Sequence, residues 1–334
     1  MSKFPIDIII PWVDSNDPEW RAEKMKYSPE NTADDRESRY RDWDTIKYVL
    51  RSIDKFMPWV NKVFFVTWGH TPEWLNKECS KLVIVNHRDY IPEKYLPTFS
   101  SHAIELNFHR IEGLSENFIY FNDDLLALAP LAEEDFFVDG VPCDYAILNV
   151  INTANRGSVQ DVALSDVEII NDHFDKNEAM RNNRSKWNSS KYGKDLIRTQ
   201  MLKRWPYFTG FLSMHQCNAF AKSTFEEVWD KEYDVLDSTC SHKFRTHRDV
   251  NQWLMRYWQL ASGNFVPIKP YGKLCSIEDD GNEKILQVLN TPSYKTCVIN
   301  DNVTVTDEAK INKIKEEVTG YLDQVFPDKS SFEL

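Results

Sequence analysis

The sequence predicts an α/β fold: a mostly parallel central sheet flanked by helices, with a helical C-terminal portion closing the ligand edge. Three observations predict it. Short apolar runs of strand composition alternate with segments of helical period over roughly the first 150 residues. Polar or acidic residues follow two of those runs at once, as they do where strands end at a ligand edge. Beyond residue 150 the strand runs thin out and helical spacing dominates.

Ile6-Asp-Ile-Ile-Ile-Pro-Trp-Val13 reads as a buried first strand, and Asp14-Ser-Asn-Asp-Pro18 as the turn after it. Residues 21–40 are dense in charge without an apolar period and read as a mobile excursion. In Arg41 to Met57, residues Trp43, Ile46, Leu50, Ile53 and Met57 recur on one helical face, and Pro58 ends the helix. Val63–Val66 and Leu82–Val85 are the next strands. A helix follows over 101–112, with Ile104, Phe108 and Ile111 on one side and Ser101 as its cap. Phe118–Phe121 is a further strand and Tyr145–Val150 another. Residues 151–200 read as polar-faced helices, and 222–234, 248–261 and 307–325 as helices by spacing. The chain divides on this reading into 1–150 and a mostly helical 151–334 that shares one site with it.

A formal charge of -12 over 334 residues excludes non-specific nucleic-acid binding as the main task. No apolar run approaches the roughly 18–20 residues of a membrane span, and Asp7 interrupts the N-terminal run, so no secretory signal is expected. Six cysteines without a CxxC pair read as reduced thiols in a cytoplasmic protein. Walker, GxGxxG and GxSxG motifs are all missing, which removes the usual support for kinase, dehydrogenase and hydrolase readings.

Asn122-Asp123-Asp124 carries the strongest chemistry. Adjacent carboxylates at a strand end repel unless a cation or a proton lies between them. The alternatives are a divalent ion shared with a diphosphate, Mg²⁺ or Mn²⁺, or a solvated Asx turn. Asp14 and Asp17 face the same edge, as ligands for a nucleotide or sugar or as turn formers. Glu105 either complements its helix dipole or faces the ligand. His215, among apolar neighbours, reads as a core imidazole or a catalyst. The run His242-Lys-Phe-Arg-Thr-His-Arg-Asp249 is a solvated charge run or, through its arginine forks, a phosphate site. Arg36, Arg39, Arg41 and Arg51 supply further positive charge, and Glu278-Asp-Asp280 and Asn300-Asp301 further acid.

Four ordered blocks together resemble the Stealth proteins. Ile8–Pro18 resembles the family's first signature, with Ser15 where glycine is usual. Arg41–Ile53 with Pro58-Trp59, then Phe99–Asp124, resembles the second. Gly210–His215 through Phe244-Arg245 and Asp249 is similar to the third, and Cys297–Asp301 to the fourth. The resemblance implies a nucleotide-sugar-transferase-like fold, with the first half binding nucleotide-sugar and metal. It implies transfer of a sugar-1-phosphate from a nucleoside-diphosphate sugar to a hydroxyl of a growing capsular or cell-wall polysaccharide. The acceptor glycan is free or lipid-linked, which would bring the protein into peripheral contact with the inner face of the membrane. The expected catalytic residues are His215, Arg245, Glu105 and Asp14, with the metal on Asp123 and Asp124. Expected substrate contacts are Trp12, Asp17, Arg41, Arg51, Ser101, Asn122, Arg248, Asp249, Asn300 and Asp301. Two rivals stay open: a metal-dependent glycosyltransferase releasing nucleoside diphosphate, and a non-catalytic glycan-binding protein.

Overall fold

The computed structural model describes residues 4–28, 41–153 and 158–334. Its central sheet contains β1 (Ile6–Pro11), β2 (Val63–Thr67), β3 (Leu82–Asn86) and β4 (Asn117–Tyr120). β5 (Leu125–Ala127), β6 (Phe137–Val138) and β7 (Val141–Asp144) follow, then β8 (Asn218–Ala221), β9 (Val266–Pro267), β10 (Gly272–Ile277) and β11 (Thr296–Asp301). The central order is β3-β2-β1-β4-β8. The first four strands are parallel, and β8 runs antiparallel to β4. The order reverses between β1 and β4, the place where open α/β sheets bind ligands beyond their carboxyl ends.

Alternation along β1 explains the two cores. Ile6, Ile8 and Ile10 face one layer with Val49, Leu50, Ile53 and Val318, while Ile9 faces the other with Leu106, Phe108 and Phe118. Asp7, which breaks the apolar run, is fully buried and satisfied: it accepts from Asn61 Nδ2 at 2.8 Å, Lys62 N at 3.1 Å and Ser115 N at 2.8 Å.

Several elements differ from expectation. Part of the charged stretch is a helix, Pro18–Tyr27, started by proline and capped by Asp17; it buries only Trp20, so no apolar period announces it. Residues 29–40, with Arg36 and Arg39, lie outside the described residues. The long helix begins at Thr45, leaving Arg41–Asp44 outside it, with Asp44 at φ 56°. The strand expected at 145–150 sits earlier, as β7, and 145–150 contributes only the bridge Leu148↔Phe211. The short helix is Ser101–Leu106, with Ser100 rather than Ser101 at its cap. The C-terminal part is helical at Val159–His173 and Glu308–Val325, yet it also supplies strands. β8 completes the central sheet, β11 pairs with β5 and β9 with β7, so strand pairing crosses residue 150 three times.

Candidate active site

Residues from four segments converge beyond the carboxyl end of β4. Asn122, Asp123 and Asp124 leave the strand in the short turn to β5, and the Asp124 carbonyl accepts from Ile299 N of β11 at 3.0 Å. One oxygen of the Asp124 carboxylate, Oδ1, is buried with no hydrogen-bond partner. Asp123 is open to solvent, yet enough protein surrounds it that desolvation raises its pKa, helped by the negative charge of Asp42. Desolvation, then the charge of Asp123, raises Asp124 further. Among the described residues, no cationic side chain forms an ion pair with either carboxylate.

His215 approaches from the loop entering β8. Its Nε2 lies 3.3 Å from Asn122 Nδ2, an amide that donates to it when the imidazole proton is on Nδ1. The residue has φ 50°, a left-handed conformation that costs a histidine on the order of 1 kcal/mol and collects at functional sites. Its ring is exposed, but the walls around it partly desolvate it and hold its pKa below the ordinary histidine value. The loop base is pinned at Gly210, where φ is 130° and a Cβ would meet Ile151 Cγ1 at 2.6 Å.

The helix Ser101–Leu106 and the loop 242–249 form the opposing wall. Arg245 donates from a terminal guanidinium nitrogen to Ser101 Oγ at 2.5 Å. Because Ser100 holds the cap position, the Ser101 hydroxyl is available for this contact. Glu105 is buried and accepts from the Tyr120 hydroxyl at 2.9 Å. Burial raises its pKa, opposed by the charge of Arg245 and by its hydrogen bonds. The loop is held by Asp249, which takes His102 Nδ1 at 3.0 Å and His242 Nδ1 at 2.8 Å, together with the Thr246 N–H at 2.8 Å and hydroxyl at 2.6 Å. Burial pushes the Asp249 carboxyl up, but these bonds outweigh it and hold it below the usual range. Phe99 stacks on Phe244 at 5.4 Å and closes the same joint.

Other expected residues separate into neighbours and bystanders. Arg41 pairs with Asp301 at 3.1 Å, and Asn300 donates to the Asp301 carbonyl at 3.3 Å, so all three border the site at the end of β11. Asp14 flanks it from β1: its Oδ1 accepts from Asn16 N, and its N–H donates to His70 Nε2, both at 2.8 Å. Asp17 caps its helix through Glu19 N and Trp20 N and meets His70 Nδ1 at 3.2 Å, so its carboxylate is engaged within the fold. Trp12 is buried against Phe65. Asp249 is wholly enclosed, and Arg248 is exposed on the outside of its loop. Arg51 is elsewhere altogether, buried against Glu333 with both bonds at 2.8 Å.

Sequence reading missed two members. Asp42, to which that reading gave no site role, adds its charge to Asp123. Tyr120, read as a strand residue, links Glu105 to the end of β4. The alternation of β4 was the available signal for Tyr120.

Comparison with known proteins follows this geometry. The description "Stealth protein CR1, conserved region 1" matches residues 4–32, and "Stealth protein CR2, conserved region 2" matches 39–143. The capsular polysaccharide phosphotransferase WcwK of Streptococcus pneumoniae is 38% identical, with 98% of each chain covered. The receptor polysaccharide phosphotransferase WefC of Streptococcus gordonii is 40% identical over 98% of this chain and 99% of its own. The exopolysaccharide phosphotransferase cps2G of Lactiplantibacillus plantarum is 35% identical over 99% and 96%. Among solved structures, a galactosyltransferase with donor and acceptor sugar analogues covers 95% of each chain at TM-score 0.39 and 8% identity, a distance at which nothing about ligands transfers. Likeness along the whole chain at this level, with both region descriptions matched, places the protein in the Stealth family.

Proposed function

We propose that this protein is a phosphotransferase of polysaccharide assembly. It moves a sugar-1-phosphate from a nucleoside-diphosphate sugar to a hydroxyl of a growing capsular or cell-wall glycan. The observation that carries the reading is the pair Asp123 and Asp124, without an ion-pair partner among the described residues and with the orphaned Asp124 Oδ1, in the turn whose Asn122 meets His215 and across Tyr120 from Arg245. Phosphotransferase relatives matching end to end support it.

The acceptor oxygen attacks the β-phosphorus, and the bond from that phosphorus to the bridging oxygen breaks. Nucleoside monophosphate leaves with the bridging oxygen, and the sugar C1–O bond is untouched. His215, neutral at physiological pH because its pKa is held low, takes the hydroxyl proton. Arg245, oriented by Ser101 and drawn toward Glu105, stabilises charge on the non-bridging oxygens. Buried Glu105 is an orienting group in this scheme, and Asp14 shapes the β1 side.

Among the described residues, no group of three or more His, Cys, Asp or Glu side chains stands ready to cage a metal. Two carboxylates with an unpaired oxygen still fit Mg²⁺ or Mn²⁺, which are commonly held by one or two carboxylates plus substrate phosphates. Such an ion would neutralise the diphosphate. Among the described residues no helix is long and apolar enough to cross a membrane. We place the reaction in the cytoplasm, at the inner membrane face where a lipid-linked glycan would be met.

The test is to incubate purified protein with nucleotide-sugars and a synthetic acceptor, and to identify the nucleotide released. Nucleoside monophosphate and a phosphodiester signal in phosphorus NMR are expected, with activity lost in EDTA and restored by Mg²⁺ or Mn²⁺. Release of nucleoside diphosphate would assign the glycosyltransferase alternative instead. Full activity in chelator would remove the metal.

A further inference from the structure

A second cavity lies along the same sheet edge, away from the acidic pair. It measures about 480 Å³, within the range of small-molecule sites, and opens over the carboxyl ends of β2 and β3. Trp68 follows β2 and forms an aromatic wall, with its Nε1 donating to Glu23 at 2.9 Å. Asn86, His87 and Arg88 follow β3, and Thr98 closes the side toward Ser101. Two of these residues hold unused polar capacity. His87 is 5% exposed, and its Nδ1 is buried with no hydrogen-bond partner. Arg88 is exposed and makes no ion pair among the described residues. Burial drives the His87 pKa down to about 3, so the ring is neutral and offers one donor and one acceptor.

The sheet order gives the cavity a direction. His215 stands on the β8 side of Asp123, whereas the cavity stands on the β1 side, over β2 and β3. In an in-line displacement at phosphorus the attacking and leaving oxygens lie opposite each other. If His215 receives the attacking hydroxyl's proton, the leaving nucleoside monophosphate points toward β1 and beyond. From β4 to β2 or β3 is two or three strand spacings, roughly 10–14 Å, a span that a nucleoside monophosphate bridges.

We infer that this cavity holds the nucleoside of the donor: the base packs on Trp68, its polar edge meets His87, and Arg88 lies at the mouth toward phosphate or ribose. The assignment rests on the proposed reaction for its direction, but base recognition is separable from the chemistry. An aromatic platform and a neutral donor–acceptor ring suit a heterocycle.

The experiment uses the full chain with UMP, CMP, AMP and GMP as separate probes, read by titration calorimetry. Hydrogen exchange over residues 86–98 is followed in parallel. At least one monophosphate is expected to bind and to protect that segment. Arg88→Ala and His87→Phe should each weaken it by about tenfold or more. Both should raise KM for the donor while leaving KM for the acceptor unchanged. Arg88 is on the surface, so its replacement leaves the fold intact. The His87 Nδ1 has no protein partner to lose. Wild-type affinity in both variants, or binding without protection of 86–98, overturns the assignment. So does failure of all four probes to bind. Nucleoside diphosphate as the turnover product would sink the reaction proposed above, yet leave this site standing if the variant effects persist.

Discussion

Asp124 illustrates what a single residue reveals. A carboxylate oxygen buried without a partner, and then pushed by an adjacent carboxylate, costs the fold stability. Asp124→Asn should therefore raise the metal-free melting temperature by about 1–3 °C, while turnover falls by about a hundredfold or more. A less stable Asn variant would show that Asp124 is already satisfied in the folded protein. His215→Ala should lose turnover by a similar factor through loss of the proton acceptor, and near-normal rates would remove it from the mechanism. The position of the acidic pair at a strand end was legible in the sequence, because the apolar run before it marks the strand, whereas the expectation for Arg245 came from the family resemblance. Asp17 and Arg51 were not legible, because the same residue types cap helices and form internal ion pairs. Asp17 binds backbone only two and three residues away, and the Arg51 partner lies 282 positions along the chain.

At the scale of elements, legibility followed the strength of the burial pattern. β1, β2 and β4 are near-continuously buried, and their apolar runs announced them; β3 buries only Leu82 and Val85 but carries the same kind of apolar run. The helix Pro18–Tyr27 buries one side chain, and β8 holds a single large apolar residue, Phe220, between two alanines, so neither left an apolar trace. The turn Phe108–Arg110 shows what tight packing between elements costs. His109 there packs against Phe225 at 6.1 Å and Trp229 at 5.9 Å, with its Nδ1 unpartnered. Burial, then the charges of Arg110 and Lys222, lowers its pKa to about 3. The unfolded imidazole takes a proton near pH 6.5 and the folded one does not, so stability falls as pH drops through that window. His109→Phe should remove this share. Between pH 7 and pH 5 the variant should lose about 2 kcal/mol less than wild type in urea unfolding. Parallel losses in both proteins would show that His109 already carries its proton when folded.

The whole molecule is one cooperative object in which distant segments complete each other's layers. β8 joins the central sheet beside β4, and β11 reaches Asp124 through the Ile299 N–H, so both the floor and the wall of the site need residues from beyond 200. The last residues are tied in the same way. Leu334 N donates to the Trp74 carbonyl, Asn76 N donates to the Phe332 carbonyl, and Phe332 is buried. Glu333 takes both forks of Arg51, which also donates to the Phe326 carbonyl at 2.6 Å. Burial pushes the Glu333 carboxyl up, but the bonds from Arg51 and Ser330 hold it below the ordinary value. Its stabilising share is therefore complete above the unfolded pKa, near 4.3, and disappears as pH falls through the folded one. Glu333→Gln leaves the buried guanidinium with only the longer contact to Asp323 at 3.7 Å, so unfolding at pH 7 should become easier by about 2 kcal/mol. The difference from wild type should shrink in acid, where the native glutamate is itself protonated. The helix bearing Arg51 runs back from the ligand edge toward the start of β2, so turnover per folded molecule should stay at the wild-type value. A variant of unchanged stability would mean that Arg51 finds another partner. A variant of normal stability but lost turnover would mean instead that Arg51 serves the ligand edge, as its place in the second block first implied.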